Sequence, residues 1–454
     1  MLLDRRQFAA AGLASAAFAG LARAAVEVQR DGGYRNEVAG YGPLGKDPQG
    51  LLDLPASFSY AVLSRFGEAM DDGYLTPDKF DGMACLALPG GKAALVRNHE
   101  LRPEDQHRGP AGGIRRLQDR LLAEPHYGKD DRGRVLPGGT STLIVDARTG
   151  RREAHFLSLA GTAVNCAGGP TPWGSWLTCE ETSLAAPGTE RSHGWVFEVP
   201  AAQRGLGQAA RPLTALGRFR HEAAAVDPAT GIVYLTEDRD DGLFYRFLPS
   251  RPGRLAEGGR LQALAFVEGP ADSRNWNGIG FAPRTTRAVR WIDLEETDAP
   301  KDDLRQRGAA AGAAIFARGE GLHAGKGEYY FTCTSGGAAK LGQIFRLRPA
   351  ASGRAETLDL FFESGDSQLF EYGDNLTVAP NGHLVVCEDR PGSAVNYLRG
   401  VTPAGKVYTI ARLHAATELA GATFSPTGEI LFLNIYAPGV TVAMRGPWNK
   451  AIEI

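Results

Sequence analysis

Thr377-Val378-Ala379-Pro380-Asn381-Gly382-His383-Leu384-Val385-Val386-Cys387-Glu388-Asp389-Arg390 is a short apolar run, a turn built on Pro and Gly, and a second apolar run that ends in acids. The same plan recurs at Ala225-Val226-Asp227-Pro228-Ala229-Thr230-Gly231-Ile232-Val233-Tyr234-Leu235-Thr236-Glu237-Asp238-Arg239 and at Thr423-Phe424-Ser425-Pro426-Thr427-Gly428-Glu429-Ile430-Leu431-Phe432-Leu433-Asn434. β-Branched and aromatic residues on either side of a Pro/Gly turn make a hairpin, and a hairpin repeated along the chain is the mark of a propeller blade. The last two copies start about 46 residues apart, within blade spacing, and the first two about 151 apart, room for roughly three steps. The expectation is an all-β chain, a six-bladed propeller with irregular insertions. A long sandwich is the alternative, since hairpins alone do not prove closure.

The rest of the chain agrees. Glycine is plentiful, 58 of 454 residues, with no G-X-Y period, so its use is in turns. Helical periodicity is confined to short segments near Leu117–Leu122 and Lys301–Gln306. The formal charge is -2, from 50 Lys+Arg and 52 Asp+Glu, which leaves no global basic field for nucleic acid. Five scattered cysteines, an odd number, do not make a disulfide framework.

Asp4-Arg5-Arg6-Gln7-Phe8, a soft Ala/Gly-rich run to Gly20, and Ala22-Arg23-Ala24 read as a twin-arginine export signal over residues 1–24. The run is too short and too weakly apolar for a membrane anchor. Removing Asp4, Arg5, Arg6 and Arg23 takes a net +2 from -2, leaving a mature chain of -4 over residues 25–454, read as one propeller domain. The expected setting is the periplasm or beyond, with the export machinery as partner, no nucleic acid, and a monomeric state.

Apolar strands end repeatedly in acids or amides: Asn98-His99-Glu100, Cys179-Glu180-Glu181, Glu237-Asp238, Glu388-Asp389 and Asn434. In a propeller such ends can converge on the central channel, where carboxylates repel unless protonated or neutralised by cations. Capping of a solvated face is the simpler alternative for any one of them. Oxygen ligands suit Ca²⁺, and a thiolate among them suits iron. On the residues alone, Cys166 and Cys179 are either a disulfide or Cys179 is a metal-bound thiolate. Of His221 and Glu222, adjacent on a strand, only one side chain can enter a given site. Arg318 and Glu320, two residues apart, share a face and make either a salt bridge or a phosphoryl-binding pair.

Arg97-Asn98-His99-Glu100, the run from Asn165 through Thr171-Pro172-Trp173-Gly174 to Thr178-Cys179-Glu180-Glu181, His193-Gly194-Trp195, Gly217-Arg218-Phe219-Arg220-His221-Glu222 and Asn434 with Pro438-Gly439 together resemble the PhoX-type alkaline phosphatase family. The resemblance covers nearly the whole mature chain. It implies a calcium and iron (Fe³⁺) cluster in the channel of a six-bladed propeller, acting on a small phosphate ester. Carried over by motif, Cys179 takes the iron thiolate role, Glu222 and Glu320 are metal carboxylates, and Arg318 binds phosphate. Catalytic roles fall to Arg318, Cys179 and Glu222, with Glu100, Glu180, Glu237 and Asp238 as further metal ligands, and the cysteine question turns against a disulfide. Gly319 stands where an arginine-proline-glutamate pattern is usual. Two other functions fit the residues: a calcium-dependent lactonase or esterase, and a non-catalytic calcium-binding propeller.

Overall fold

The computed structural model describes residues 33–452, apart from 208–209, 351–353, 391 and 393–394. The export signal expected at residues 1–24 lies outside the described residues. Six antiparallel units follow one another. Their inner strands are Phe80–Leu88, Asn165–Pro170, His221–Val226, Gly319–Ala324, Gly373–Val378 and Leu419–Phe424. Each packs against the next, and the sixth returns to the first, so the ring is closed. The all-β propeller expected from the repeated hairpins is what forms.

Each inner strand turns back into a second strand, as in Val233–Glu237 after His221–Val226. The turn there is local chemistry: the Asp227 carboxylate accepts from Ala229 N at 2.9 Å and Thr230 Oγ1 at 2.8 Å, and Gly231 supplies φ 73°. The three sequence repeats fall in blades 3, 5 and 6. The first two copies are therefore two blades apart, and not three steps. The extra length comes from a fifth strand in blade 3, Thr286–Asp293, and the connections around it, with a helix at Leu304–Ala310. That strand pairs with the outer strand of blade 4, Thr357–Glu363, so two blades share a nine-stranded sheet. The other expected helix spans Arg115–Ala123.

Closure uses the N-terminus. Ser59–Arg65 is the outer strand of blade 6, paired with Val440–Arg445. Arg97 of blade 1, fully buried, donates to Ser64 Oγ at 2.7 Å and Thr441 Oγ1 at 2.6 Å, which ties the first blade to the last. Between blades the core is apolar; blades 2 and 3 meet through Leu177, Val196, Leu216, Phe219, Leu235 and Tyr245. Each fully buried Leu or Phe there contributes about 1.5–3 kcal/mol.

One irregularity repeats six times. Every inner strand pairs its first residue, and in blade 6 its first two, then skips two and resumes, while the second strand skips one. This two-against-one count is a β-bulge, a device that re-aims a side chain. The skipped pairs are Asp81-Gly82, Cys166-Ala167, Glu222-Ala223, Glu320-Gly321, Asp374-Asn375 and Gly421-Ala422. Five blades thus place an acid or a thiol at the same point of the ring; blade 6 places a glycine. The Gly or Ala that follows in every blade but the fifth, which has Asn375, has a steric reason. A Cβ on Gly82 would lie 2.5 Å from Ala167 Cα, and one on Gly321 2.6 Å from the Asp374 carbonyl oxygen, because the inner strands crowd at the axis.

Candidate metal centre

The bulges gather their side chains. Ligand atoms of Cys166, Glu181 and Glu222 lie within 4.8 Å of one another, as do those of Glu222, Glu320 and Asp374. Glu222 belongs to both sets. Glu181 comes from the residue just past the second strand of blade 2, Ser175–Glu180. Asp81 joins through Cys166, whose thiol donates to Asp81 Oδ2 at 3.4 Å. Glu100 is buried beside Asp81 and accepts from the Tyr436 hydroxyl.

The electrostatics are those of a site short of positive charge. Burial first, then repulsion from Glu320 and Asp374, holds the Glu222 carboxyl well above the ordinary range. Asp81 is raised by burial and by Glu100, Glu181 by burial and by Asp238, and Glu320 by burial and by Asp238. Asp374 is pushed up to about 7 by burial and Asp389. Burial and the Asp81 and Glu222 charges likewise raise the Cys166 thiol well above its usual value. Both Glu222 oxygens and Asp81 Oδ1 are buried without a hydrogen-bond partner. Buried, unpartnered carboxylate oxygens are costly unless a proton or a cation meets them. One set mixes a thiol with carboxylates and the other is all oxygen, a donor chemistry that fits a transition metal beside a hard cation.

A guanidinium borders the acids. Arg318 Nε donates to Asp238 Oδ1 at 2.8 Å, and its Nη2 to Glu320 Oε1 at 2.7 Å, so the expected shared face is real and Asp238 reaches it from blade 3. His221 turns away from Glu222, stacks on Phe219 with ring centroids 3.6 Å apart, and faces the Gly217 carbonyl at 2.9 Å.

Three expected ligands are elsewhere. Cys179 sits across the ladder from the Cys166 bulge and shares the face of Leu177, which the strand period of two turns into the apolar core between blades 2 and 3. No disulfide joins it to Cys166; all five cysteines are free. Glu180 is spent on structure, accepting from Ala163 N and Gly194 N at 2.9 Å and facing His193 Nδ1 at 2.7 Å. Glu237 accepts from Tyr245 OH at 2.6 Å and Leu243 N at 3.2 Å. The expectation that second-strand ends converge on the channel holds for the residues just past those strands, Glu100, Glu181 and Asp238. Glu180 and Glu237, the last residues of theirs, brace loops, and the starts of the inner strands supply the other side chains.

Glu222, Glu320, Glu100, Asp238 and Arg318 are brought together as expected. Asp81, Cys166, Glu181 and Asp374 were missed. An acid or cysteine followed by Gly or Ala at an inner-strand start, as in Phe80-Asp81-Gly82 and Asn165-Cys166-Ala167, finds Asp81 and Cys166, whereas Asp374 is followed by Asn375 and Glu181 stands just past a second strand.

Comparison with known proteins agrees with this architecture. The profile of the family described as "Alkaline phosphatase PhoX" matches residues 39–439. A search of curated proteins by sequence gives no match. Among solved structures, Pseudomonas fluorescens PhoX in complex with vanadate, a transition state analogue, is 19% identical, covers 91% of this chain and 98% of its own, and has a TM-score of 0.64. A periplasmic gluconolactonase of Pseudomonas aeruginosa, 14% identical over 87% of this chain and 94% of its own, has a TM-score of 0.38. With the profile spanning nearly all of the ring that carries the acids and the thiol, the chain belongs to the PhoX alkaline phosphatase family.

Proposed function

We propose that the protein is an exported, metal-dependent phosphoric monoester hydrolase whose channel holds calcium and iron. The observation that carries this reading is the shared Glu222: a thiol-containing donor set and an all-carboxylate set meet on one side chain, beside Arg318. Cys166 takes the thiolate role that motif reading gave to Cys179, with Glu181 and Glu222 in the same set and Glu320 and Asp374 in the other. Membership of the PhoX family and the fold shared with a vanadate-binding relative support the phosphoryl substrate. Among the described residues no helix is long and apolar enough to cross a membrane. The twin-arginine segment accounts for delivery to the periplasm.

When bound, the cations supply Lewis-acid polarisation of the phosphoryl oxygens. The chain's own contribution is positioning and charge. Asp238 grips Arg318 through Nε and Nη2, at 2.8 and 3.2 Å, and fixes the plane of its fork. A fork so held offsets negative charge on the equatorial oxygens of a transferring phosphoryl group. Thr334 Oγ1 donates to Glu320 Oε1 at 3.0 Å and sets the orientation of that carboxylate.

The test is elemental analysis and p-nitrophenyl phosphate turnover of protein exported by its native route, with and without chelator, for wild type, Cys166→Ala and Cys179→Ala. Cys166→Ala is expected to lose iron and turnover together, and Cys179→Ala to keep both. Calcium without iron in the wild type, with turnover of lactones and not of phosphate esters, would overturn the reading.

A further inference from the structure

The bulge that repeats around the ring also defines the position two residues before each ligand. That position is Lys79 before Asp81, Val164 before Cys166, Arg220 before Glu222, Arg318 before Glu320 and Tyr372 before Asp374. Lys79, Val164, Arg318 and Tyr372 share a left-handed backbone, with φ 50°, 53°, 55° and 51°, which marks the position as one structural element. In three blades it carries a cation, and the three cations differ in how far they are already neutralised. Lys79 Nζ is 2.8 Å from Asp105 Oδ2. Arg318 is held by Asp238 and Glu320 through three hydrogen bonds. Among the described residues Arg220 has one acidic neighbour, Glu181 Oε1, at a loose 3.5 Å, its Nε is buried with no partner, and its side chain is 40% exposed.

Arg220 and Arg318 stand on either side of one acidic pair. The Arg220 carbonyl accepts from Asp238 N at 3.3 Å, Asp238 lies against Glu181, and Asp238 grips Arg318. Cations drawn to Glu181 compete for the one acidic partner Arg220 has, which leaves most of its five donors for an anion. We propose, on the reading of the channel as a phosphoryl-transfer site, that Arg220 is a second guanidinium of the substrate site and makes the protein select dianionic phosphomonoesters over monoanionic diesters. A phosphomonoester offers three non-bridging oxygens, enough for the fork of Arg220 from blade 3 and for Nη1 of Arg318 from blade 4, the nitrogen that Asp238 and Glu320 leave free. A diester offers two, and its second ester group collides with or bypasses one fork.

The experiment uses metal-loaded wild type, Arg220→Gln and Arg220→Lys. It measures metal content, inorganic phosphate binding by titration calorimetry, and kcat/KM on p-nitrophenyl phosphate and on bis-p-nitrophenyl phosphate. Arg220→Gln is expected to keep its metals, to bind phosphate about 10- to 100-fold more weakly, and to lose monoester turnover more than diester turnover. Arg220→Lys, which keeps charge without the fork, should fall between. Unchanged phosphate affinity and an unchanged monoester-to-diester ratio in Arg220→Gln would overturn the proposal. So would loss of metal in that variant, because Arg220 would then serve only to support Glu181. Wild type that carries its metals yet binds no phosphate and cleaves neither ester overturns the phosphatase reading itself, whatever the variants do.

Discussion

Glu222 and Glu237 stand at the start of one inner strand and at the end of the strand paired to it, yet they live by opposite rules. Glu222 is buried with neither oxygen bonded, facing Glu320 and Asp374. Glu237 is as deeply buried, but it accepts from Tyr245 OH and Leu243 N and braces a loop. The same contrast runs around the ring: Cys166 against Glu180, and Asp374 against Glu388, which pairs with Arg399 at 2.7 Å in a fully buried ion pair. Composition does not separate the two groups. The bulge does, by aiming one residue of the inner strand at the axis while the pleat turns its neighbour across the ladder into the blade. An acid on the axis has other acids for company and needs a cation; an acid in the blade has the protein's own donors.

The sharpest way to break the contrast is Glu222→Gln. Because Glu222 belongs to both donor sets, the variant should lose metal from both and hydrolyse p-nitrophenyl phosphate at least about 10³-fold more slowly. Without metals the variant should be the more stable protein. A carboxyl whose folded-state pKa is raised carries a penalty absent below its unfolded value of 4.5, and that penalty grows as pH rises. Urea denaturation of the metal-free proteins at pH 8 should therefore place the variant's midpoint above that of wild type. A lower midpoint would mean that Glu222 is a structural acid like Glu388.

Glu388→Ala probes the other side. It strips Arg399 of its carboxylate inside the blade, where the guanidinium also donates to Thr409 Oγ1 at 2.6 Å. An uncompensated buried charge costs about 3–5 kcal/mol, so a large drop in the urea midpoint is expected. Metal content should not change. Loss of metal at wild-type stability would place Glu388 with the axial acids.

The fold was legible because hairpin chemistry is local: Asp227-Pro228-Ala229-Thr230-Gly231 encodes its own turn, and three such turns suffice to suggest blades. The site was half legible. Arg318 and Glu320 are found from spacing because both lie on one extended segment. Cys179 misled because the family motif carried the thiolate role to it, whereas alternation sends Cys179 with Leu177 into the apolar core, Glu180 braces the loop around Gly194, and Glu181, past the end of the strand, reaches the channel. Choosing Cys166 needs the bulge, and a bulge is a register fact: it exists only once the second strand is laid beside the first. Asp374 was hidden for the same reason. Its place in the ring shows only when the six strands are aligned by their skipped pairs.

The smallest expected effect is the one that separates the two kinds of buried acid most cleanly. Burial pushes Glu237 up to about 7, against the Tyr245 and Leu243 hydrogen bonds that pull it down. Its folded-state value lies above the unfolded 4.5, so its penalty is absent below that pH, grows between about pH 4.5 and 7, and is constant above. Glu237→Gln should remove that slope, a difference on the order of 3 kcal/mol at pH 8, while an amide oxygen still accepts from the loop. Metals should erase the pH dependence that Glu222 contributes, because they favour its charged form, and leave that of Glu237 untouched, since Glu237 is in neither donor set and its Oε2 accepts from Tyr245 and Leu243. Urea titrations from pH 4.5 to 8, on metal-free and metal-loaded wild type and Glu237→Gln, measure both. A Glu237 slope that vanishes on metal loading would return this residue to the channel.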